Sequence, residues 1–87
     1  MKIEFTHSFI KRFKKRFPNN PKFQDKFDER IKLFSVNPDH SSLKDHALKG
    51  KKLGLRSFSI SGDIRVIYYI KKQTAYCVDI GSHNQVY

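Results

Sequence analysis

Four side chains in this sequence carry the chemistry needed to handle a phosphodiester: His46, Arg56, Arg65 and His83. Around them stand Lys44, Lys49, Lys51, Lys52, Asp63 and Tyr87. An imidazole works as acid or base near neutral pH. A guanidinium binds phosphate oxygens bidentately and stabilises charge as it develops. RNA brings its own nucleophile, the 2′-hydroxyl. Its cleavage needs a base for that hydroxyl, an acid for the 5′-oxygen and cations for the pentavalent phosphate. Two histidines, the lysines of "LKGKK" and one or two arginines on a sheet face would supply all three, with no metal and no other cofactor.

Each of these residues also has a plainer reading. His46 lies in a polar stretch and could be a solvated loop histidine. Arg65 could pair with Asp63, two residues away on the same strand face, instead of waiting for an anion. The lysines could be a solvated loop, Arg56 a strand surface residue and Tyr87 simple packing. Other chemistries find less support. Four His and one Cys show neither C-x-x-C nor H-x-x-x-H spacing, so no metal site is expected. Gly-rich phosphate loops and G-x-S-x-G elbows are absent. Cys77, in the apolar run "AYCVDI", reads as buried filler.

The elements that must position these groups follow from periodicity. "KIEFT" alternates as a first strand over residues 2–6. In "HSFIKRFKKRF", Phe9, Ile10, Phe13 and Phe17 recur at helical spacing. Pro18 ends that helix, and Asn20 with Pro21 starts a second. Phe23, Phe27, Ile31 and Phe34 form its apolar stripe. Residues 41–52 read as a polar loop. Strands are expected at 53–60, 63–70 and 74–80, joined by turns at Ser61-Gly62 and Lys71-Lys72-Gln73. In the strand at 63–70, Ile64, Val66, Tyr68 and Ile70 should meet the helices, leaving Arg65 on the open face. Two registers are open: a turn at Ser61-Gly62 pairs Phe58 with Arg65 and places Arg56 on the same face, whereas Ile60 in the loop sets Ser57 opposite Arg65. The fold class is α+β in the order β-α-α-β-β-β, a small antiparallel sheet with a helical hairpin on one face and residues 1–87 as one domain.

Lys and Arg total 18 against 8 acids, a net charge of +10. Such a field draws polyanions, so nucleic acid, or an acidic protein covering the same face, is the expected partner. "MKIEFTHSF" has no apolar core of a leader peptide, and no stretch approaches the roughly 20 apolar residues of a membrane span. A soluble cytoplasmic protein with no membrane partner is expected.

"DHALKGKKLGLRSFSISGDIRVIYYI", followed by "VDIGSHNQVY", resembles the RelE/ParE toxin superfamily, closest to RelE- and YafQ-like mRNA interferases. The resemblance covers nearly the whole chain. It implies the toxin of a type II toxin–antitoxin pair, an endoribonuclease that cuts mRNA in the ribosomal decoding site and is held by a cognate acidic antitoxin. Carried over, His46 matches the loop histidine of the YafQ-like motif, Asp63 its strand aspartate, His83 its C-terminal histidine and Tyr87 its closing aromatic. Arg65 matches the strand arginine of RelE-like members, and Arg56 the arginine opening the preceding strand. The chain departs from the pattern at Ser59, where YafQ-like toxins carry another histidine, and at Ile64, where they carry Trp. The expected division of labour is acid–base work by His83 and His46, with Arg65 and Arg56 on the phosphate. Competing classes are a ParE-like toxin that inhibits DNA gyrase and a degenerate toxin that binds RNA without cutting it.

Overall fold

The computed structural model describes residues 1–87. In chain order the elements are β1 (Lys2–Phe5), α1 (His7–Arg16), α2 (Pro21–Val36), β2 (His46–Ala47), β3 (Arg56–Ser61), β4 (Ile64–Lys71), β5 (Thr74–Ser82) and α3 (His83–Val86). The β-α-α-β-β-β order is present. Its two additions, β2 and α3, fall where the sequence pattern shows a polar loop and a tail. Single 3-10 turns at Ser41–Leu43 and Gly50–Lys52 flank β2.

Both helices begin as their caps dictate. Thr6 Oγ1 accepts from the Phe9 amide and starts α1; Asn20 Oδ1 accepts from the Phe23 amide and starts α2, with Pro21 at its first position. Aromatic contacts zip the hairpin: Phe17 stacks on Phe23 at 4.3 Å and Phe13 meets Phe27 edge-on at 5.0 Å. No helix is long and apolar enough to cross a membrane.

The sheet runs β1-β5-β4-β3-β2. The first strand is parallel to β5, and the other pairings are antiparallel. Phe34 of α2 stacks on Phe58 at 4.2 Å and meets Tyr68 edge-on at 4.9 Å, which fixes the helical layer to β3 and β4. Val66 and Tyr68 are buried in that core as expected, whereas Ile70 stays half in solvent at 51%.

Neither expected register for Arg65 holds. The turn is Gly62-Asp63, with Ser61 opposite Ile64, and a bulge at Ile60 sets Ser59 opposite Arg65. The extra residue keeps Phe58 and Ile60 together in the core while Ser57 and Ser59 face away from it. It also sets Arg56 opposite Tyr68, on the helix side, so Arg56 does not share a face with Arg65. Nor is the second face fully open. Ile67 lies there and is only 1% exposed, because α3 folds back across β4 and β5 and buries Val86.

Beyond Cys77, β5 has no strand on its outer side, and α1 takes over. Thr6 Oγ1 donates to the Cys77 carbonyl (2.9 Å), Ser8 Oγ and Arg12 Nη1 to that of Val78 (3.0 and 3.1 Å), and Arg16 Nη1 to that of Ile80 (2.8 Å). Asp79 locks the arrangement by accepting from Arg16 at 3.0 Å. Side chains thus satisfy an edge that would otherwise offer itself to another strand.

Candidate active site

The site is built on the three rows of residues that α3 overlies. His46 in β2 sits opposite Ser57 in β3, and Ser57 opposite Ile67 in β4. Two residues along on the same face, Arg65 lies between Ser59 and Gly81. Ser82 then caps α3: its hydroxyl accepts from the Gln85 amide while the Gln85 side chain accepts from the Ser82 amide. This reciprocal cap lifts the chain off β5 and carries His83 and Tyr87 over the sheet. Gly81 leaves the room for it, since a Cβ there would stand 2.6 Å from Gln85 Oε1 and 2.8 Å from Arg16 Nη1. The glycine serves close approach, not the tight bend that its place before His83 suggests; its φ is not positive.

His46, Leu48, Lys49, Lys51, Lys52, His83 and Tyr87 line one open cleft of about 600 Å³. The two expected histidines and three of the expected lysines therefore meet, from segments far apart in sequence. Tyr87 packs edge-on against His83 with ring centroids 4.4 Å apart, and its hydroxyl donates to Ser57 Oγ. His83 is thereby linked through Tyr87 to the residue opposite His46.

The neutral His46 ring has a defined tautomer. Its Nδ1 lies 3.0 Å from the Lys44 carbonyl, which only accepts, so Nδ1 carries the proton and Nε2 is left with its lone pair. That carbonyl is aimed by Lys44 itself, which sits in the left-handed region at φ 50°. Lys44 thus shapes the loop and does not line the cleft.

Asp63 is not the partner of Arg65. Its carboxylate accepts from the His83 backbone amide at 3.4 Å and steadies the start of α3. No carboxylate lies within ion-pair distance of Arg65, and its Nε is buried with no hydrogen-bond partner. Buried donors without partners are uncommon; Arg65 as a whole is half-exposed and is not among the groups that line the cleft.

Arg56 departs from expectation most clearly. Its Nε and Nη2 donate to Asp45 Oδ1 at 2.9 and 2.6 Å, and the Tyr68 hydroxyl donates to Asp45 Oδ2. Hydrogen bonding to Asp45, more than any other cause, raises the Arg56 pKa. Burial, reinforced by Asp45, pushes the Tyr68 phenol well above its ordinary range. Arg56 is not among the cleft-lining groups. Asp45, Ser57 and Tyr68 were not singled out in the sequence. Asp45 adjoins His46, but its partners come from strands whose register the sequence leaves open. No group of three or more His, Cys, Asp or Glu side chains is placed to hold a metal ion.

No curated protein sequence matches the chain. Among solved structures it is similar to a copper-bound point mutant of a toxin from Helicobacter pylori, with 27% identity and a TM-score of 0.76 over 100% of this chain and 99% of that one. YafQ from Escherichia coli strain BL21(DE3) matches at 22% identity and TM-score 0.76, over 99% of this chain and 97% of that one. The toxin–antitoxin complex of E. coli YafQ with DinJ matches at 22% identity and TM-score 0.74, over 99% of this chain and 96% of that one. The model of one family, the YafQ bacterial toxins of type II toxin–antitoxin systems, matches residues 1–87 without a break. A RelE-like α+β sheet, a basic cleft closed by α3 and a family match along the whole chain identify this protein as a member of the YafQ toxin family.

Proposed function

We propose that this toxin is a ribosome-dependent endoribonuclease that cuts mRNA in the decoding site by attack of the 2′-hydroxyl, without a metal. The observation that carries the reading is the meeting of His46, His83, Tyr87 and three lysines in one cleft. His46 Nε2, with its lone pair free, takes the proton of the 2′-hydroxyl. The 2′-oxygen attacks phosphorus, the bond to the 5′-oxygen breaks, and His83 delivers a proton to that leaving oxygen. The products are a 2′,3′-cyclic phosphate and a 5′-hydroxyl. Lys49, Lys51, Lys52 and Arg65 offset the charge on the pentavalent phosphate. Lys44 acts through its carbonyl on the His46 ring, and Tyr87 stacks on a base beside the scissile bond. Asp63 acts by holding the first turn of α3 under His83. A cleft this open has little means to align the 2′-hydroxyl alone, which is the physical reason for a ribosome.

The partner that holds the toxin in check is a cognate acidic antitoxin, which neutralises the +10 field. The place of action is the cytoplasm, where mRNA and ribosomes meet. The test is primer-extension mapping of a defined mRNA on programmed ribosomes, with the protein, with His83→Ala, and with an mRNA-only control. Cuts at the decoding site that need both ribosome and His83 support the proposal. Cuts on free RNA remove the ribosome from it, and an absence of cuts in every format sinks it.

A further inference from the structure

We propose that Asp45, Arg56 and Tyr68 are positioning residues for His46, fixing where its Nε2 points and which ring nitrogen carries the proton. The inference rests on the nuclease reading above for its consequence, though not for its geometry.

The strand that carries His46 cannot hold itself in place. It is two residues long, at the edge of the sheet, with His46 opposite Ser57 and Ala47 opposite Arg56. Something must anchor it, and Asp45 is one peptide unit away. The Asp45 side chain is 8% exposed, and both its oxygens are occupied: Oδ1 by the two Arg56 nitrogens, Oδ2 by the Tyr68 hydroxyl. Arg56 belongs to β3, and Tyr68 to β4 at 1% exposure in the core. The loop is therefore nailed to two strands of the rigid layer. Two N–H donors converging on one carboxylate oxygen, with the phenol on the other, hold the carboxylate in angle as well as distance.

The other end of the device is Lys44. A non-glycine residue in the left-handed region is strained and persists only where its surroundings over-determine it. With Asp45 pinned, the Lys44 carbonyl turns toward His46 and accepts a hydrogen bond from its Nδ1–H. Release of Asp45 would free that carbonyl, and the ring would return to the mixed tautomers of a free histidine. Both Arg56 and Tyr68 have raised pKa values, so the guanidinium stays charged and the phenol stays a neutral donor near neutral pH. The clamp lies on the helix side of the sheet, behind the cleft, so it acts on substrate only through His46.

The deciding experiment joins nitrogen NMR of the His46 ring with cleavage kinetics on programmed ribosomes, for Asp45→Asn, Tyr68→Phe, Arg56→Lys and a core control, Phe34→Leu. In the parent, neutral His46 should carry its proton on Nδ1. Asp45→Asn and Tyr68→Phe should mix the tautomers at His46 and not at His83, and lower kcat roughly 10²-fold at little change in KM. Arg56→Lys, which keeps the charge but not the two converging donors, should retain part of the rate. Phe34→Leu should lower Tm and leave the tautomer alone. Should Asp45→Asn not fold, Tyr68→Phe, which keeps the ring, carries the test. An unaltered His46 tautomer in Tyr68→Phe or Asp45→Asn overturns the proposal. If instead the parent cuts no RNA, the nuclease reading fails by itself, and the nitrogen shifts still decide the clamp.

Discussion

The Tyr87 hydroxyl donates to Ser57 Oγ at 2.5 Å, and this bond ties the final helical turn to β3 directly opposite the strand that bears His46. Ser57 is fully buried, so removal of the phenolic oxygen leaves a serine hydroxyl with no partner. Tyr87→Phe should cost about 1 kcal/mol, or roughly 4–8 °C in Tm for a domain of this size. It keeps the edge-on contact with His83 and should retain most of the cleavage rate. Tyr87→Ala loses both contacts and should lose most of it. Differential scanning calorimetry beside ribosome-programmed cleavage tests the pair; equal rates for the two variants would contradict it.

Gly81 matters for space. A Cβ there would crowd the Gln85 and Arg16 side chains at 2.6 and 2.8 Å. Gly81→Ala should push α3 away from the sheet and carry His83 out of line with His46. The expected result is at least a tenfold loss of cleavage with the fold retained, checked by kinetics beside circular dichroism. Full activity would show that α3 tolerates the displacement.

Arg65 is half-exposed, its Nε is buried without a partner, and no carboxylate lies within ion-pair distance of it. Arg65→Leu should therefore leave Tm nearly unchanged, since it breaks no ion pair and removes a donor that has no partner. The same change should reduce kcat by about 10²–10³-fold if the guanidinium meets the phosphate. A large fall in Tm would point to a structural role instead.

The buried thiol of Cys77 is pushed by its burial from 9.0 up to about 12. In this window the unfolded chain has released the thiol proton and the native state still holds it. Stability is therefore complete below pH 9.0 and is lost as pH rises toward 12. The raised Tyr68 phenol works in the same direction at the alkaline end. Urea midpoints should fall across this range, and Cys77→Ala should flatten the lower part of the curve. Ellman's reagent at pH 8 should find no reactive thiol until the protein unfolds.

The turn between β4 and β5 uses poor residues for its geometry. Lys72 and Gln73 both have positive φ, 49° and 66°, which Asn-Gly would adopt with less strain. Lys72→Asn with Gln73→Gly should add about 1 kcal/mol. Because the turn closes the end of the hairpin remote from Gly81 and His83, cleavage should not change. Thermal melts decide the first point and ribosome assays the second.

Residue spacing carried much of this molecule and stopped at identifiable places. The Phe9–Phe13–Phe17 spacing, Pro18 and the Asn20-Pro21 start specify the helical hairpin, because local caps and periodicity are written in adjacent residues. The alternation of Val66 and Tyr68 specifies which face of β4 meets it. The bulge at Ile60 is not legible, since a single extra residue leaves composition and alternation nearly unchanged. That one residue decides that Arg56 faces Asp45 and Tyr68. The convergence of His46, His83 and the lysines was readable as chemistry but not as contact, because it depends on α3 folding back. The Ser82–Gln85 spacing of a capping box was the available sign of that turn.

The pairing of β1 with β5 joins Lys2–Phe5 to Thr74–Cys77, with almost the entire chain as the loop between them. Closing so long a loop costs chain entropy that no local contact offsets in advance, whereas the β3–β4–β5 meander needs only short turns. Non-local pairing of this kind is slow. The meander can assemble as an early nucleus, and the seam between β1, α1 and the outer edge of β5 closes late. Until it does, the β5 carbonyls beyond Cys77 and the aromatic ladder of α1 face solvent together. A refolding chain at high concentration is most open to aggregation in that interval, and stopped-flow refolding of Thr6→Val should lengthen it.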